Sequence, residues 1–114
     1  MTVGTGRFLT NQCMPDDIRR LRYSAATETT ATSVSYSTSS VPLLAFNPSR
    51  LGATVHNDSD RDLFLKLGDD ASSSSFTQKM EAGSYYELPY NYVGVITGAW
   101  ASGGSGAARI TEFE

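Results

Sequence analysis

From Leu51 to Glu114 apolar and polar positions alternate with a period of two, in short runs separated by turn residues. Leu51, Ala53 and Val55 alternate with Gly52, Thr54 and His56. A polar NDSDRD stretch follows, and then Leu63, Leu65 and Leu67 share one face against Phe64 and Lys66. Phe76, Gln78 and Met80 alternate with Thr77 and Lys79. Glu81-Ala82-Gly83 marks a turn, and Tyr86 and Leu88 alternate with Tyr85 and Glu87 before Pro89. Val93 and Val95, then Ala108 and Ile110, continue the pattern. Such alternation places one face of each strand in a core. Turn signals every eight to twelve residues predict an all-β chain, a small antiparallel β-sandwich of six to eight strands, Ig-like or jelly-roll-like. The NDSDRD turn predicts a hairpin between the strands on either side of it. The expected core is Leu51, Ala53, Val55, Leu63, Leu65, Leu67, Phe76, Met80, Tyr86, Leu88, Val93, Val95 and Ile110, with Trp100 a core edge or an interface anchor.

The first forty residues follow another pattern. Residues 1–14 show little periodicity and read as an extended segment. Pro15 to Arg22 reads as a short helix, with proline and acids at its start and arginines at its end. Two turns do not persist alone in water, so this helix needs a surface to dock on. Eleven of the seventeen residues from Ser24 to Ser40 are Ser or Thr, with Val34 and Tyr36 among them. Three readings stay open for this tract: an arm that orders on a neighbouring subunit as an added strand, a flexible linker, or an edge strand of the domain's own sheet. The expected organisation is an N-terminal arm over 1–40, with a short helix near 15–22, and a sandwich over 41–114.

An apolar fraction of 39% in 114 residues suits one small domain. A sandwich domain of roughly 60–75 residues buries only about 60% of its unfolded surface, so self-association is a natural source of further burial. The net charge of −3 divides unevenly. Residues 1–50 carry five arginines against three acids, 5 − 3 = +2; residues 51–114 carry four cations against nine acids, 4 − 9 = −5. A basic arm on an acidic body favours contact between neighbours, and Arg7, Arg19, Arg20 and Arg22 are the candidate contacts. No basic stripe points to nucleic acid. No apolar run reaches the ~20 residues of a membrane span, and none suits a signal peptide. The single cysteine, Cys13, cannot pair within the chain.

Candidate chemistry is sparse. Cys13 and His56 are the only residues of their kinds, and they fall in different parts of the chain, which argues against a nucleophile–base pair and against zinc. Asp58, Asp60 and Asp62 alternate as in a calcium loop, but Leu63 stands where that loop needs glycine, and Asp69 where it needs glutamate. Gly103-Gly104-Ser105-Gly106 lacks the Lys-Ser/Thr of a phosphate loop. Glu81 and Glu87 have no cleft signature around them. No enzyme activity and no cofactor or metal are expected. Five large aromatics, Tyr85, Tyr86, Tyr90, Tyr92 and Trp100, fall within sixteen residues. Alternation buries about half of them, leaving the others for cross-strand pairing, a subunit interface or a ligand platform. Tyr85, Tyr90, Tyr92 and Trp100 are the candidate interface residues of the body.

The stretch NPSRLGATVHNDSDRDLFLKLG, followed by SSFTQKMEAGSYYELPYNYVGVITGAWASGGSGAARITEFE, resembles small virion structural proteins of tailed bacteriophages. The likeness covers Asn47–Glu114 and lies in a strand ending in N-D-S, a strand ending in K-L-G, the A-G-S-Y-Y-E-L-P segment and the run through Trp100. It implies a capsid decoration (cement) protein that forms a homo-oligomer on the shell. Its partners would be the major capsid protein or other virion proteins, bridged through the arm, with no nucleic acid and no membrane. Localisation would be the virion, after assembly in the host cytoplasm. The alternatives are a neck, tail or baseplate adaptor and a glycan- or host-surface-binding module.

Overall fold

The computed structural model describes residues 25–114. Eight strands run in order: β1 (Thr29–Ser35), β2 (Val41–Leu44), β3 (Gly52–Ser59), β4 (Leu63–Leu67), β5 (Gln78–Met80), β6 (Tyr85–Glu87), β7 (Ile96–Trp100) and β8 (Gly106–Phe113). They form two four-stranded antiparallel sheets, ordered β1-β8-β3-β6 and β2-β7-β4-β5. Every connection except β4–β5 crosses from one sheet to the other. The all-β, two-sheet expectation holds for the described residues. The short helix expected near 15–22 lies outside them.

The two leucine- and valine-bearing strands around NDSDRD do not form the expected hairpin. β3 pairs with β8 and β6, whereas β4 pairs with β7 and β5. The polar stretch is an arch between sheets. The reason is that both strands carry apolar inward residues, Ala53 and Val55 on one and Leu63 and Leu65 on the other. Facing these rows across the interior buries both, while pairing them side by side would leave each without a cover.

Asn57 makes the arch possible. It is completely buried. Its Nδ2 donates to the carbonyls of Arg61 and Met80, both at 2.9 Å, and Glu81 at 3.2 Å. Its Oδ1 accepts from Ser59 Oγ at 2.6 Å and Trp100 Nε1 at 3.2 Å. One side chain therefore links the arch, the turn after β5 and the last residue of β7. The glycine run meets the same end. An added Cβ at Gly106 would lie 2.5 Å from the Asp58 carbonyl oxygen and 2.6 Å from Ser59 Cα, backbone atoms, at a φ of 124°, so only glycine fits there.

Thr29–Ser35 pairs along its whole length with β8. Of the three readings of the Ser/Thr tract, the edge strand is the observed one, and the sheet begins at Thr29, inside the stretch assigned to the arm. Tyr36 anchors the strand's end. Its hydroxyl donates to the Ala101 carbonyl and accepts from Gly104 N at 3.1 Å, and its ring packs 5.7 Å from that of Trp100.

The opposite end of the sandwich is held by Arg50, counted above with the basic arm but only 2% exposed. Its Nε pairs with Glu112 Oε2 at 2.7 Å. Its remaining nitrogens donate to the carbonyls of Tyr92 (3.2 Å), Gly94 (2.9 Å) and Ala45 (2.5 Å). Val93 and Val95 were expected in a strand, yet the strand starts at Ile96. Arg50 takes the carbonyls of Tyr92 and Gly94, Asn47 N takes that of Val93, and Tyr92 Oη takes that of Val95. Side chains and a loop amide thus occupy the groups a ladder would need.

All five residues of β7 are buried. Ile96, Gly98 and Trp100 align with Leu67, Leu65 and Leu63. Thr97 and Ala99 point outward beneath the serine-rich loop after β4, where Thr97 Oγ1 bonds the Gly68 carbonyl and Ala71 is buried. The core accordingly includes Leu43, Ile96 and Ala108, which the expected core did not name, and Trp100, for which a core edge was one of two readings. Phe76, expected in the core, is 41% exposed and packs on Phe64 outside the sheet.

Candidate interaction surface

The two outer faces differ. That of the β2-β7-β4-β5 sheet is covered in part by the loop after β4, pinned by Lys66 Nζ to Ser75 Oγ at 2.8 Å and by Ala71 N to Ser40 Oγ at 3.0 Å. Nothing among the described residues covers the outer face of the other sheet. Antiparallel register sets two rows across it: Ser33, Arg109, His56 and Tyr85, then Ala31, Thr111, Thr54 and Glu87. His56, Arg109, Tyr85 and Glu87 are exposed, and Thr54 and Thr111 half-buried. The result is a flat, mixed polar surface bearing one aromatic ring.

Tyr85 is 59% exposed and donates to Glu87 Oε2 at 3.1 Å. Partial desolvation, reinforced by the Glu87 carboxylate, raises its pKa above the ordinary tyrosine value. Tyr86 points inward opposite Val55, and burial raises its pKa as well. Tyr90 is 99% exposed. Tyr90 and Asn91 both have left-handed backbone, at φ 57° and 50°, with Tyr92 N bonded to the Pro89 carbonyl at 3.3 Å. Those φ values are the ones a type I′ turn needs, and a bulky residue reaches them at a cost. Tyr92 is half-buried, its hydroxyl donating to Val95 O at 2.9 Å.

Trp100 is no surface anchor. It is 2% exposed, in the core, with its indole nitrogen held by Asn57. The five aromatics therefore form no shared platform: Tyr85 and Tyr90 are open, Tyr86 and Tyr92 partly enclosed, Trp100 enclosed. Arg7, Arg19, Arg20, Arg22 and Cys13 lie outside the described residues.

The remaining candidates have structural partners. Asp58 pairs with Arg109 at 2.9 Å, Asp60 Oδ1 accepts from Ser105 N at 2.9 Å, and Asp62 lies 3.7 Å from Lys79. The three aspartates are thus turned to different neighbours rather than to one ion. Among the described residues no group of three or more His, Cys, Asp or Glu side chains is placed to hold a metal ion. No helix among them is long and apolar enough to cross a membrane. No protein-family model matches the chain, and neither a curated protein nor a solved structure matches it.

Proposed function

We propose that the chain is a structural protein of a phage particle, a capsid decoration protein that acts by assembly and carries out no reaction. The strand order carries this reading. The pair of sheets β1-β8-β3-β6 and β2-β7-β4-β5 corresponds to a jelly roll, the two-Greek-key sandwich that recurs in viral capsid and lectin domains. Fold alone does not assign function. The resemblance of Asn47–Glu114 to phage virion proteins and the open face with Tyr85 point the same way. In this reading the body docks through that face and through Tyr90, while Arg7, Arg19, Arg20 and Arg22 bind acids on neighbouring subunits. Ordering of an arm on a shell costs entropy that the new contacts offset.

The test is co-sedimentation of the full chain with purified capsids. Reversing Arg19, Arg20 and Arg22 to Glu should weaken capsid binding at least tenfold while leaving thermal unfolding unchanged. Unaltered binding removes the arm from the mechanism.

A glycan-binding module is the second reading, favoured by the exposure of Tyr85 and Tyr90 and by the occurrence of jelly rolls among lectins. Burial of Trp100 weakens it, because the indole offers no stacking surface. Glycan-array binding lost on Tyr90→Ala would favour this module over the capsid role.

A further inference from the structure

The two sheets present four edges, and three are blunted. β2 has four residues, a proline at Pro42 and a register shift between Pro42 and Leu44. β5 has three residues and exposes Lys79. β6 has three residues and exposes Glu87. Short strands, proline, irregularity and charge are the devices by which edges resist pairing. β1 has none of them. It runs seven residues, TTATSVS, with no charge, no proline and an unbroken register to β8. Among the described residues nothing pairs with its outer side.

The direction of its free groups follows from its ends. Glu28 and Glu114 exchange both backbone bonds, and Tyr36 N donates to Gly106 O. Residues 28 and 36 thus face β8, and with an unbroken antiparallel register residues 30, 32 and 34 do too. Thr29, Ala31, Ser33 and Ser35 therefore turn their N–H and C=O groups outward.

We propose that β1 pairs antiparallel with β1 of a second copy, about a two-fold axis through Thr32, to join two four-stranded sheets into one. This register sets Ala31 opposite Ser33 and Thr29 opposite Ser35. Every outward-facing residue meets another outward-facing residue, so their bonds are satisfied together. Thr30 meets Val34 and Thr32 meets itself, pairings that suit adjacent strands. No charge opposes its like. Because β1 is the single open edge of the two sheets, the association closes at two copies; a growing filament would need a second. The proposal supplies the self-association expected of the assembly reading and deepens it, but it concerns the isolated chain, so its failure and that of the capsid role are separable.

Sedimentation of the full chain at tens of micromolar should give a species at twice the chain mass of 12.3 kDa. Ser33→Pro removes an outward N–H that β8 does not use, so it should leave circular dichroism unchanged and give a monomer. In a Cys13→Ser background, Thr32→Cys should form an intermolecular disulfide on mild oxidation. Directly opposed residues of this pair type lie about 4.5 Å apart at Cα, within the range of about 4.4–6.8 Å for a disulfide. Thr30→Cys, which faces Val34 of the other copy, should cross-link at least tenfold less. A monomeric full chain overturns the proposal, whether the edge is then taken by residues 1–24 or by another virion protein. So does a dimer that Ser33→Pro leaves intact and Thr32→Cys fails to link. If Ser33→Pro unfolds, the cross-linking contrast alone decides.

Discussion

The indole Nε1 of Trp100 lies 3.2 Å from Oδ1 of Asn57, and this bond ties the central strand of one sheet to the arch that enters it from the other. Both residues are buried, and the same amide holds three backbone carbonyls. Asn57→Ala would strand the buried indole N–H of Trp100 and release the arch from the turn after β5. Each buried group left without a partner costs about 1–3 kcal/mol. We expect a large fall in the urea midpoint. Asn57→Asp should lose more at neutral pH, where a carboxylate would face carbonyl oxygens, and recover in part on acidification, when protonation restores a donor.

Arg50 plays the corresponding part at the other end. Removing one partner of a buried ion pair costs about 3–5 kcal/mol, and Arg50→Ala also abandons three carbonyls. Arg50→Lys should be almost as damaging, because a single ammonium cannot span Glu112 and the loop carbonyls as a planar fork does. Loss of amide-exchange protection at Asn47, whose N–H donates to the Val93 carbonyl, in Arg50→Lys checks the link to that loop.

Gly98 gives a packing test. A Cβ there would lie 2.9 Å from Leu63 Cδ1 and 3.0 Å from Leu43 Cδ1. Gly98→Ala should cost about 1–3 kcal/mol by overpacking. Adding Leu43→Ala should cost less than the two single changes summed, since the shortened side chain admits the methyl group.

Tyr86 sets an alkaline limit. Burial favours its neutral phenol, so its folded pKa lies above the ordinary 10.0. The stability this contributes is fully present below about pH 10 and is lost as pH rises through the folded value. Denaturation followed from pH 8 to 12 should fall off less steeply in Tyr86→Phe than in the parent chain.

Tyr90 separates binding from stability. A left-handed conformation costs a non-glycine residue about 1–2 kcal/mol, so Tyr90→Gly should leave the melting temperature equal or higher. If the exposed ring docks on a shell, the same change should weaken capsid binding. Binding that is unaffected would remove Tyr90 from the docking surface.

The period of two made the sheets legible, because Ala53, Val55, Leu63 and Leu65 had to face an interior wherever their strands were placed. It could not assign partners: NDSDRD suits a hairpin and an arch equally well in local chemistry, and the choice lies in which rows meet across the core. Arg50 and Asn57 were missed for a related reason. Their types are ordinarily exposed, and only the distant carbonyls of Ala45, Met80, Tyr92 and Gly94 make their burial tolerable. The run ITGAW hid a central strand, since its outer side is covered by a serine tract that reads as polar linker. Trp100 gave a signal, but alternation alone could not choose between core and surface. The open edge of β1 was within reach, as TTATSVS lacks charge and proline, though an edge strand of the domain's own sheet was one of three readings and its partner β8 was not named.

The proposal that this chain works by assembly on a phage shell is tested most directly by counting it in phage particles purified from a culture that expresses it, by quantitative mass spectrometry against the major capsid protein. Hundreds of copies per particle are expected of a decoration protein. A count of six or twelve would move it to the neck or tail, and its absence from particles would contradict a structural role in the virion.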